Sequence, residues 1–95
     1  MSSRNVVITS AGLRALQDHA MTRVANQVLW HLVNELPPNG EIVSKAALEE
    51  KLSITRPQLS NTIKFLCQAG FLARGARHGL SYHYKPNPVF FRILA

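Results

Sequence analysis

The stretch "SKAALEEKLSITRPQLSNTIKFLCQAG", residues 44–70, sets two helical patterns on either side of a three-residue connection. Ser44 can cap the first, "KAALEEKL", in which Leu48 and Leu52 fall on one side. Thr55 can cap the second, and Pro57 falls in its first turn, where a missing N–H costs nothing. Gly70 supplies a natural left-handed stop, so the second helix is predicted over 55–69. Ser53-Ile54-Thr55 is too short a link to be a loop of its own. Two helices joined this tightly meet at a steep angle, and the rest of the chain must pack around them.

The segments flanking the pair are short. "NVVIT" (5–9) is β-branched and predicts a strand, with Thr9 or Ser10 able to cap the next helix. From Leu13 to Leu36 the apolar residues keep helical spacing, as one long helix or as two with a break near His19–Thr22. Two are expected, because "QDHAMT" is polar and Thr22 can cap a second helix. Pro37 biases Leu36 away from helical geometry, and Asn39-Gly40 is turn chemistry. "EIV" (41–43) then reads as a brief strand. Beyond Gly70, "FLARG" and "LSYHY" flank "GARHG" (75–79), which predicts two short strands around a glycine-bounded basic loop. The fold expected is mainly α with a small β-hairpin (α+β). It is a single domain over 1–95, a winged helix-turn-helix with an N-terminal strand and helix extension. The helix-turn-helix covers about 44–69 and the wing about 71–85.

Charge narrows the partner. All five acids lie in the first fifty residues, which sum to −1, whereas residues 51–95 hold seven basic residues and no acid. A one-sided field over half a domain suggests a polyanion, either nucleic acid or an anionic membrane surface. No run of about 18 apolar residues suits a membrane span. The apolar run in "MSSRNVVITS" is too short for a signal-peptide core, and the single cysteine excludes an internal disulfide. A soluble chain in the reducing cytoplasm is expected.

"AALEEKLSITRPQLSNTIKFLCQAGFLAR" resembles winged helix-turn-helix bacterial DNA-binding proteins, among them MarR-type regulators. Ser53 stands where that turn usually has glycine, and Glu49 where the first helix usually has a small residue. A second resemblance spans residues 5–92. The N-terminal strand, the helix, the winged part and the ending Asn87-Pro88-Val89-Phe90-Phe91 are similar to a family of small plasmid replication initiators. Both resemblances imply DNA binding.

The 55–69 helix carries the site expected from the residues themselves. Leu59, Ile63 and Leu66 form its buried stripe, and Pro57, Asn61, Lys64 and Gln68 lie opposite. Arg56, Gln58 and Ser60 flank them at the N-terminal end, the end that meets base edges in a helix-turn-helix. Arg can pair with guanine O6 and N7, and Asn or Gln with adenine N6 and N7. A cation at a helix start opposes the helix dipole, and Asn is a poor mid-helix residue, so Arg56 and Asn61 point to binding. Ser44 and Lys45 can meet a phosphate at the start of the preceding helix. Arg74, Arg77 and His78 lie on or beside the hairpin tip, in reach of phosphates or the minor groove.

Other chemistry is sparse. His78, His83 and Cys67 lack zinc-ligand spacing, no base stands at recognisable spacing from Cys67, and no phosphate-cradling loop exists. No catalytic residue, metal, cofactor or small-molecule ligand is expected. Three functions stay open. They are a sequence-specific double-stranded DNA-binding transcriptional repressor, a plasmid replication initiator or maintenance protein, and a winged-helix module that binds protein. Apolar residues crowding the segments 5–9 and 88–95 further predict a homodimer through those segments and the 10–36 region.

Overall fold

A computed structural model describes residues 4–94. The order is β1 (Asn5–Ile8), α1 (Ser10–Asp18), α2 (Arg23–Glu35), β2 (Glu41–Val43), α3 (Lys45–Leu52), α4 (Arg56–Gln68), β3 (Leu72–His78), β4 (Ser81–Pro86) and β5 (Phe91–Leu94). The described residues form a small α+β protein of four helices and two antiparallel sheets. One sheet pairs β1 with β5, and the other runs β2-β4-β3.

Local chemistry sets every helix start. The hydroxyls of Thr9, Thr22, Ser44 and Thr55 each accept a backbone N–H from the third residue onward, which satisfies one of the free donors of a first turn. The expected break therefore falls between α1 and α2, at Thr22. Gly70 takes a φ of +87° just past α4, the left-handed stop its sequence position predicts. Arg4 donates to the carbonyls of Val33 and Leu36, so a cation closes the carbonyl end of α2.

Ser53 follows α3 with φ 55° and ψ 47°, a left-handed conformation that costs a side-chain-bearing residue energy. Ser53→Gly should therefore raise stability by about 0.5–1 kcal/mol in urea unfolding. A loss would place the restraint in the serine side chain.

The core joins these elements. Val28, Leu29, Leu59, Leu66 and Phe71 are fully buried, with Val33, Ile63, Leu72, Tyr84 and Phe91 packed among them. The terminal strands belong to this core. Ile8 pairs with Phe91 and Val6 with Ile93, and Val6, Ile8 and Phe91 pack on the same centre. Part of the apolar surplus at the termini, the ground for expecting a dimer there, is thus used within one chain, while Val7, Val89 and Leu94 stay exposed. The Asn87–Phe91 ending has a structural task. Asn87 Nδ2 donates to the Gly70 carbonyl at 2.7 Å, its Oδ1 accepts from Val89 N at 2.9 Å, and its carbonyl accepts from Phe90 N and Phe91 N. This Asx turn swings the chain from β4 back across the end of α4.

The hairpin is longer than expected. Residues 75–78 continue β3 and are not part of a loop, and the turn is Gly79-Leu80, with Gly79 at φ +63°. Gly75 reads as a loop boundary in the sequence, but here it sits in the strand close against His83. Among the described residues, no helix is long and apolar enough to cross a membrane.

Candidate functional site

Side chains from α3, α4 and the β3–β4 hairpin meet on one face. On α4, burial of Leu59, Thr62, Ile63 and Leu66 leaves Pro57, Asn61, Lys64 and Gln68 exposed along the opposite side. Thr55 and Gln58 close a capping box: Thr55 Oγ1 accepts Gln58 N at 3.3 Å, and Gln58 Oε1 accepts Thr55 N at 3.0 Å. The amide oxygen of Gln58, expected to be free for a base, is already engaged at the helix start.

Arg56 is also held. Its Nε donates to Glu49 Oε2 at 2.9 Å, the one ion pair among the described residues. The short turn brings α3 beside the first turn of α4, so a carboxylate offsets the cation at the wrong end of the helix dipole. The lone unfavourable charge read from the sequence is one half of a pair.

The hairpin aims two arginines. Arg74 and Arg77 are three residues apart, which in a regular strand puts them on opposite faces. The ladder shifts register between them, so Arg74 lies across from Tyr84 and Arg77 across from Tyr82. Tyr82 and Tyr84 share a face, and the extra residue of this bulge brings both arginines onto it. Arg74 stacks its guanidinium 4.7 Å from the centre of the Tyr82 ring. Arg77 Nε donates to the Gly79 carbonyl at 2.7 Å, and His78 stands exposed at the end of β3.

Between these elements lies an open cleft of about 520 Å³ lined by Lys45, Ser60, Ile63, Lys64, Cys67, Gln68, Arg74 and Tyr84. Lys45 opens α3 directly after Ser44, whose hydroxyl is occupied as the cap. Four of the expected residues, Lys45, Ser60, Lys64 and Arg74, therefore converge. Asn61 lines a separate hollow with Thr22 and Phe65, and Gln58 one with Arg23 and Lys51. Burial pushes the Cys67 thiol up from its ordinary pKa, against the smaller opposing pull of Arg74 and Lys45, so it is protonated at neutral pH. Burial raises the Tyr84 phenol as well.

No family model, curated protein or solved structure matches the chain.

Sequence reading missed Tyr84 and Cys67 in the cleft and Leu80 at the hairpin tip, where it is 92% exposed. For Tyr84 the signal was present as alternation, since Tyr82 and Tyr84 fall on one side of a strand. Among the described residues, no group of three or more His, Cys, Asp or Glu is placed to hold a metal.

Proposed function

We propose that the chain is a winged helix-turn-helix protein that binds duplex DNA, reads sequence with α4 and acts as a transcriptional regulator. The observation that carries this reading is the surface of α4. Pro57, Asn61, Lys64 and Gln68 form an exposed stripe without a carboxylate, and it borders a cleft holding Lys45 and Arg74. A major groove about 12 Å wide admits one helix, and an Asn or Gln amide matches the adenine edge there. Lys64, Lys45 and Arg74 then lie beside the groove, where phosphates run. The β3–β4 hairpin is the wing, with Arg77 and His78 toward the neighbouring backbone. Glu49 engages only Nε of Arg56, so the Nη groups stay free to reach a base edge. Occupying an operator is enough to repress, and needs no further chemistry from the chain.

Affinity for a duplex selected from random sequence, measured against salt, tests this. Replacing Arg74 and Arg77 by Ala should weaken selected and random duplexes alike. The magnitude of the log–log salt slope should fall by about 0.9 per lost contact, or near 2 for the pair. An unchanged slope removes the hairpin from the interface. Failure of the unaltered chain to bind any duplex at low salt removes the whole reading.

A further inference from the structure

We propose that the cleft between α3, α4 and the hairpin is a seat for a single phosphate group and, on the DNA-binding reading above, that its occupant is a backbone phosphodiester. Three cations reach it from three different elements: Lys45 from the first turn of α3, Lys64 from the middle of α4, and Arg74 from β3. Among the described residues none of the three is in an ion pair, and no carboxylate lines the cleft. Glu41, across from Tyr84 on β2, is exposed and is not part of the lining. Like charges gathered without a counter-charge repel one another, and an anion between them removes that cost.

The floor makes the second, independent point. Tyr84 is only 3% exposed, yet it lines the cleft, and its hydroxyl, which makes no hydrogen bond to any described residue, is open to solvent there. A phenol hydroxyl held in such a place can donate to a phosphate oxygen in exchange for water. Arg74 lies across from Tyr84 in the ladder, so both emerge on the same face, and stacking on Tyr82 holds the guanidinium in place. Ser60 adds a hydroxyl on the α4 side. The protonated Cys67 thiol leaves no competing anion on the floor. The cleft is open to solvent, which suits a phosphate still attached to its polymer. Seated there, one phosphate would fix the register of α4 against the duplex.

The test uses the single cysteine as a reporter in the full chain. The rate at which Cys67 reacts with an uncharged aromatic disulfide is followed alone, with a selected duplex, and with inorganic phosphate against chloride at equal ionic strength. The duplex should slow the reaction by about tenfold. Tyr84→Phe deletes one oxygen and keeps the ring in the core. It should weaken selected and random duplexes equally, by about tenfold, at an unchanged thermal midpoint. Lys45→Gln, at the half-buried first position of α3, provides a second variant with the same expected direction. Protection by the duplex but not by inorganic phosphate identifies a phosphodiester seat, and protection by both identifies a seat for phosphate in general. Protection by inorganic phosphate with no duplex binding keeps the seat and overturns the DNA reading. Duplex binding that leaves Cys67 reactive and Tyr84→Phe unaffected overturns the seat and keeps the DNA reading. If neither ligand protects and no duplex binds, both fall.

Discussion

Phe71→Ala should destabilise the protein by about 3–5 kcal/mol, a large part of a total stability of order 5–15 kcal/mol. Phe71 is 0% exposed and follows the Gly70 stop of α4. Its ring meets Phe90 edge-on at 5.6 Å between centroids and His19 at 6.1 Å, and lies tilted on Phe91 at 6.4 Å. It therefore joins the end of α1, the end of α4 and the C-terminal strand, three parts distant in sequence. Deleting it leaves a cavity that none of the three can fill without moving the others. Phe71→Leu, which keeps most of the volume, should cost less. Urea unfolding of both variants gives the comparison. A cost below about 1 kcal/mol for the alanine variant would mean that the terminal sheet is held by its own pairing and not by the core.

The elements were legible in the sequence because their signals are local. Thr22, Ser44 and Thr55 cap helices where their hydroxyls predict, and Gly70 stops α4 where its freedom at positive φ predicts. The pairing of β1 with β5 was not legible. Two short β-branched and aromatic segments more than eighty residues apart do not name each other, and apolar ends read equally well as an interface with a second copy. The hairpin was misjudged for a similar reason. Gly75 and Gly79 bracket a basic stretch and read as loop borders, whereas a bulge lets the ladder continue past Gly75.

The candidate site was legible in kind and less so in detail. Residue types on α4 mark its exposed stripe, because the stripe follows from helical periodicity. Which polar atoms are free depends on neighbours that periodicity does not give. Glu49 and Arg56 stand seven residues apart across a turn, and their pairing needs the angle between α3 and α4. Gln58 carries a capping-box spacing with Thr55, three residues before it, so its engagement could have been read from sequence. Tyr84 needed the β3–β4 register to place it beside Arg74.

These constraints single out Asn61 for the largest expected effect on recognition. Its side chain is exposed, it makes no hydrogen bond to any described residue, and it lies on the stripe and not at the capped end. If it pairs with a base, Asn61→Ala should cost about 1–3 kcal/mol on the preferred duplex and relax selection at one position, leaving random duplex nearly unaffected. Lys64→Ala, beside the cleft cations, should instead weaken both duplexes alike. Arg56→Ala discriminates between two roles for the Glu49 pair. A base-reading Arg56 lowers the specific-to-random ratio as Asn61 does, while an Arg56 that only offsets the helix dipole leaves it intact. Folding should survive all three changes, since none belongs to the buried Leu59, Ile63 and Leu66 stripe, which melting curves would verify. A ratio unmoved by both Asn61→Ala and Arg56→Ala would mean that α4 does not read sequence. The cations of the cleft and hairpin would then serve attraction alone.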